Sequence, residues 1–159
     1  MNKLYLLLGS NLQQPIKNLQ TAAALISKNL GSVVAQSSMY QTAAWGNTQQ
    51  PDFINQVIVV ETSHPATECI NIVLGTEQAM GRVRTEKNAP RLIDIDILYF
   101  NQDVIHLPHL IVPHPAIQLR RFVLIPLNEI APRFIHPVLQ QSNQQLLKNC
   151  PDDLNVKKI

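Results

Sequence analysis

Glycine is scarce and scattered in this sequence. The five glycines (Gly9, Gly31, Gly46, Gly75 and Gly81) include no G-x-G pair, and none begins G-x-x-x-x-G-K. That excludes the standard dinucleotide fingerprint and the Walker A loop, so any nucleotide must be held by charged side chains and metal rather than by a glycine cradle. Two cysteines, Cys69 and Cys150, lie far apart and form no C-x-x-C. Two lone thiols suggest a reducing compartment, and the expected location is the cytoplasm. No apolar run reaches the ~18 residues of a membrane span. Residues 4 to 8 are too short for a signal-peptide core and lead into Gly-Ser-Asn, so a first strand is the better reading. The net charge of +2 points to no polyanion partner. There is no G-x-S-x-G, no H-x-x-x-H and no His/Cys cluster, hence no sign of an acyl-transfer triad or a zinc site.

The 159 residues fit one domain, 1-159, with no linker and no internal repeat. A strand over 3-8 ends in the Gly9-Ser10-Asn11 turn. Pro15 suits a helix start, and Leu19, Ala22, Ala23, Leu25, Ile26 and Leu30 recur at helical spacing up to Gly31. Residues 32-41 read as an edge strand and 53-62 as a strong strand. A helix follows from Ser63-His64-Pro65 to about Met80, then a polar loop over 81-92 and a strand over 93-100. The Pro-rich remainder reads as loops with a short strand near 120-126 and a helix near 140-148. This β-α-β-β-α-β order predicts an α+β, ferredoxin-like antiparallel sheet with helices on one face, the other face open to ligand, and a loop-rich C-terminal extension.

Chemistry concentrates in the last of these strands. Asp94 and Asp96 alternate with Ile93, Ile95 and Ile97, which places the two carboxylates on one face about 6.6 Å apart along the strand. Bare, they would repel each other. Mg²⁺, which commonly takes one or two carboxylates plus substrate phosphates, resolves the conflict. The bland alternative is an exposed polar face of an edge strand, but Asp is disfavoured in strands.

All six arginines fall between Arg82 and Arg133. A loop with Arg82, Arg84, Lys87 and Arg91 running into this strand looks like a triphosphate site, because the guanidinium presents a planar, permanently charged fork to phosphate oxygens. Taken singly, Arg84, Arg121 and Arg133 read as ordinary surface charge. Aromatics make up only 5% of the chain. Trp45, Phe53 and Phe122 include candidates to sandwich a flat heterocycle, although the residues alone favour plain core positions for the two phenylalanines. Asn55 shares a strand face with Phe53, and its amide can both donate to and accept from a pterin or purine edge. His114 stands between Pro113 and Pro115, where a structural role is the commoner one.

The run from Lys87 to Leu98, Lys-Asn-Ala-Pro-Arg-Leu-Ile-Asp-Ile-Asp-Ile-Leu, resembles the signature of the 6-hydroxymethyl-7,8-dihydropterin pyrophosphokinases of folate biosynthesis. The resemblance extends over nearly the whole chain. It takes in Leu8-Gly9-Ser10-Asn11-Leu12, Tyr40-Gln41-Thr42 with Gly46, Gln50 to Asn55, Glu77 with Gly81-Arg82-Val83-Arg84, Val112 to Pro115, Arg120 to Leu124, and Pro126-Leu127. It implies transfer of pyrophosphate from ATP to the pterin hydroxymethyl group, with AMP as the other product. By carry-over, Asp94 and Asp96 hold two Mg²⁺ ions. Arg82 and Arg91 steady the transferring phosphates, with Arg84 beside them. Glu77, Ile97, His114 and Arg120 contact ATP. Phe53 and Phe122 sandwich the pterin, while Asn55 and groups at Thr42, Ala43 and Trp45 read its edge. Asn88 and Ala89 stand where members often carry an aromatic residue followed by glycine.

Two other readings compete. An RNA-binding module on the same fold would need the RNP1 pattern and an aromatic strand platform, and this sequence lacks both. A D-x-D metal-dependent nucleotidyl or glycosyl transferase would release a different product. The expectation is a monomer acting on ATP and hydroxymethyldihydropterin, with no nucleic acid and no membrane involved.

Overall fold

The computed structural model describes residues 1–43, 49–81 and 92–159. Its main sheet begins with β1 (Asn2–Ser10). Helix α1 (Pro15–Asn29) follows, with Pro15 in its first turn and Leu19, Ala22 and Ile26 on its buried face. The chain turns back at Gly31, where a Cβ would overlap the Glu61 carbonyl, so only glycine lets the helix end lie this close to the sheet.

The strand expected over 32-41 is two strands, β2 (Ser32–Gln36) and β3 (Tyr40–Thr42). Between them Ser37 breaks the run. Its N–H donates to the Val57 carbonyl, and its hydroxyl accepts from the Val57 N–H. Then come β4 (Phe53–Thr62), α2 (Ala66–Ala79) and β5 (Asp94–Phe100). All pairings are antiparallel. The order is β5-β1-β4-β3, with β2 also on β4 and a C-terminal strand, β8 (Val156–Lys158), on the outer side of β3. A small hairpin, β6 (Ile105–Leu107) with β7 (Leu110–Val112), stands apart.

One face of the sheet carries Leu4, Leu6, Leu8, Ile54, Ile58, Val60, Ile95 and Ile97 against α1 and α2. The other face, expected to lie open to ligand, is covered. It carries Tyr5, Leu7, Val57, Val59, Leu98 and Tyr99, and these are covered by α3 (Arg121–Ile130) and α4 (Asn143–Lys148). Helices therefore lie on both faces, and among the described residues the packing of α3 and α4 covers the apolar part of the second face.

The strand expected near 120-126 is helix α3. Phe122-Val123-Leu124-Ile125 reads locally as strand, and Pro126 discourages a helix. The packing favours the helix instead, because Val123, Leu124 and Leu127 recur at helical spacing and are nearly fully buried. Burial of each leucine contributes about 1.5–3 kcal/mol. The helix forms around a proline at the sixth of its ten residues, where one backbone bond is lost.

A register shift finishes the layout. Tyr5 faces Tyr99 and Leu6 faces Ile97, so Leu98 is an extra residue in β5. Before it the even-numbered residues face α3; after it Tyr99 does. The bulge lets Asp94, Asp96 and Tyr99 share one face of the sheet.

Candidate active site

Residues directly opposite in an antiparallel sheet share a face. Tyr40 of β3 is opposite Asn55 of β4, Asn55 is opposite Gly9 of β1, and Gly9 is opposite Asp94 of β5. One row across four strands thus holds Asn55 and Asp94 on either side of a glycine. The next row inward holds Val57, Leu7 and Asp96, and the row toward the sheet end holds Thr42 and Phe53. Phe53, Asn55, Asp94 and Asp96 therefore meet on the second face, beyond the edge of the α3 packing. Asp94, Asp96 and Phe53 are half-buried, and Asn55 is buried.

Gly9 is the hub of this surface. A Cβ there would stand 2.6 Å from Asn55 Oδ1 and 3.8 Å from a ring carbon of Phe53. Thr42 is buried, and its hydroxyl has no hydrogen-bond partner among the described residues. A buried hydroxyl without a partner is costly, and a polar ligand edge offers one. Ala43, next in the chain, is half-buried.

Helix α3 supplies the facing wall. Arg120 is its N-cap residue, and the guanidinium carbon lies 5.8 Å from the centre of the Phe122 ring. His114 is fixed by its backbone, its N–H donating to the Leu98 carbonyl at 2.9 Å. Its Nδ1 accepts from the Ala116 N–H at 3.1 Å, which leaves the proton of the neutral ring on Nε2. Burial and the nearby Arg120 charge push the His114 pKa down to about 4, against a weaker opposing pull from Asp94. At neutral pH it is a neutral donor between a cation and a carboxylate.

Glu77 sits elsewhere. It lies near the C-terminal end of α2, only 2% exposed, and its carboxylate accepts the Ile95 N–H at 2.8 Å. That donor belongs to the residue between the two aspartates, on the outer edge of the sheet. Glu77 thereby holds the aspartate-bearing segment in place. Ile97 is buried in the core against α1 and α2, so its side chain faces away from Asp94 and Asp96 and only its backbone remains for a ligand. Arg82, Arg84, Arg91 and Trp45 lie outside the described residues, as do Asn88 and Ala89.

Several side chains with no role assigned from sequence support the site. The Ser10 hydroxyl donates to the Leu92 carbonyl and accepts from Asn18, pinning the entry to β5. The Asn11 amide donates to Gln50 Oε1 at 2.6 Å and to the Pro51 carbonyl, tying the β1 turn to the entry of β4. Glu129, at the far end of α3, accepts from the Ser38 N–H, the Ser38 hydroxyl and the Tyr40 hydroxyl. Only a run of small polar residues at strand ends marks the first two sets in sequence, and nothing marks the third.

Among the described residues no three carboxylate, histidine or cysteine side chains converge on one point. Two carboxylates on one face, beside a half-buried arginine, fit an Mg²⁺ ion that arrives with phosphates rather than one caged by protein alone.

A family model described as 7,8-dihydro-6-hydroxymethylpterin-pyrophosphokinase (HPPK) matches residues 5–132. A Synechocystis protein named 2-amino-4-hydroxy-6-hydroxymethyldihydropteridine pyrophosphokinase is 37% identical over 142 residues, covering 89% of this chain and 72% of that protein. One of the same name from Haemophilus influenzae is 33% identical over 154 residues, 96% of each. The folic acid synthesis protein FOL1 of Dictyostelium discoideum is 35% identical over 158 residues, but this chain spans only 24% of it. In fold, the chain resembles a Plasmodium falciparum HPPK-DHPS crystal structure, wild type with STZ-DHP. The TM-score is 0.77 at 18% identity, covering 92% of this chain and 43% of that one.

Proposed function

Because the chain belongs to the 7,8-dihydro-6-hydroxymethylpterin-pyrophosphokinase family, we propose that it transfers pyrophosphate from ATP to the hydroxymethyl group of 6-hydroxymethyl-7,8-dihydropterin. The observation that carries this is the row around Gly9, which brings Phe53, Asn55 and the two aspartates onto one sheet face.

The pterin ring lies between Phe53 and Phe122, where offset stacking favours a flat heterocycle. The Asn55 amide and the Thr42 hydroxyl, with Ala43 and Trp45, take its polar edge. Both protein groups are buried, so a ring lacking the matching donors and acceptors would leave them unpaired. Arg120 and the His114 Nε2–H donate to ATP oxygens, and Arg82, Arg84 and Arg91 are assigned to the phosphates. Asp94 and Asp96 would hold two Mg²⁺ ions, which supply charge neutralisation on the triphosphate and activation of the attacking hydroxyl. Glu77 acts through Ile95, by keeping both aspartates in register.

In the reaction the pterin hydroxyl gives up its proton to solvent as its oxygen forms a bond to the ATP β-phosphorus. The bond from that phosphorus to the α,β-bridging oxygen breaks, and AMP leaves. The protein contributes positioning and charge rather than covalent chemistry. We read the strand order as the split βαβ, ferredoxin-like arrangement in one domain, acting as a cytoplasmic monomer.

Phosphorus NMR of protein, Mg²⁺, ATP and hydroxymethyldihydropterin tests this reading. AMP and a pterin diphosphate are expected. ADP would identify an ordinary kinase, and inorganic diphosphate a nucleotidyl transferase.

A further inference from the structure

The two walls of the pterin pocket come from distant parts of the chain, Thr42 at the end of β3 and Phe122 at the start of α3. Residues near the C-terminus touch both. Asp152 Oδ2 accepts the Arg121 N–H at 2.9 Å, one of the helix-start donors that Arg120, as N-cap, leaves without a side-chain partner. Asp152 Oδ1 accepts the Leu154 N–H at 3.0 Å, and Arg121 Nη1 donates to the Leu154 carbonyl at 3.2 Å. A few residues on, β8 pairs with β3. Val156 is opposite Thr42, Lys157 opposite Gln41 and Lys158 opposite Tyr40, and the Ile159 N–H donates to the Met39 carbonyl.

β3 is only three residues long, and without β8 its outer side would be an unpaired sheet edge. The same eight residues thus cap the helix beside Phe122 and pair the strand that ends at Thr42. They lie beyond the 5–132 stretch that the family model matches.

We propose that Asp152–Ile159 is a positioning strap for pterin binding, setting the separation of the Phe122 and Thr42 walls. This rests on the pyrophosphokinase reading. A strap of this kind acts chiefly on the pterin side, because it joins the Phe122 and Thr42 walls, while of the ATP groups it adjoins Arg120. Loosening it should raise the pterin KM while leaving the ATP KM and the saturated rate nearly unchanged.

The experiment is steady-state kinetics of Asp152→Ala, Asp152→Asn and a chain ending at Asn155, with melting curves for each. Asp152→Ala is expected to raise the pterin KM about fivefold or more, with kcat and the ATP KM within about twofold. Asp152→Asn should recover only part of the loss, because its single amide oxygen can replace one of the two carboxylate acceptors. The shortened chain should raise the pterin KM further. If it melts too low to assay, the two point variants decide the matter. An unmoved pterin KM, or a rise of both KM values by the same factor, overturns the strap. Wild-type protein that makes no AMP overturns the pyrophosphokinase reading itself, and the strap's role with it.

Discussion

Asn55 occupies the space that a side chain at Gly9 would need. Its Oδ1 lies 2.6 Å from where a Cβ would stand, closer than real Cβ contacts come. β1 approaches β4 with backbone alone at this row, so the Asn55 amide can lie across it toward Asp94. Gly9→Ala should therefore act on Asn55 first. The expected result is a pterin KM raised about tenfold or more, with a stability loss of about 1–3 kcal/mol from overpacking. Kinetics with pterin varied at saturating ATP, together with a urea titration, measure both. An unchanged KM would mean that Asn55 does not read the pterin.

Asp96→Asn keeps size and shape and removes one charge. The rate at saturating Mg²⁺ should fall by at least about 10²-fold, the scale of losing a group that stabilises developing charge. Pterin binding, followed by calorimetry, should change little. Turnover near the wild-type value would remove Asp96 from the metal site.

Glu77→Ala leaves the Ile95 N–H buried without its side-chain acceptor. A loss of about 2 kcal/mol is expected, the usual cost of such an orphaned group. Glu77→Gln retains an acceptor oxygen and should lose less. Denaturant midpoints of the two variants check the order. If both equal the wild type, Glu77 does not hold β5.

His114 makes the stability of the ligand-free protein depend on pH. Its pKa is about 4 when folded, against an ordinary value of 6.5. Between these values the unfolded chain binds the extra proton and the folded chain resists it, so stability falls as pH drops from about 6.5 toward 4 and is recovered above 6.5. His114→Gln should flatten that part of the profile. Urea midpoints of both proteins at several pH values within the window test this, and parallel profiles would contradict it.

Much of the arrangement was legible from local pattern. The helical spacing from Leu19 to Leu30 behind Pro15 marks α1, and the apolar run 53–62 coincides with β4. The alternation of Ile93, Asp94, Ile95 and Asp96 separates core side chains from carboxylates, because strand geometry fixes which face each residue takes. Local pattern was misleading at 120–126. There four residues of strand preference form a helix because Val123, Leu124 and Leu127 find apolar partners on the sheet's second face.

What the chain determined by itself is α1, β4, the aspartate strand β5 and the side-chain chemistry available on them, since these follow from near neighbours and residue type. Tertiary structure decided everything that depends on distant pairings. It set Asn55 and Asp94 on either side of Gly9 and closed most of the second face with α3 and α4. It turned Glu77 to the Ile95 N–H and laid the C-terminal strand along β3. These contacts join residues 18 or more positions apart, and only the packed sheet defines how they align.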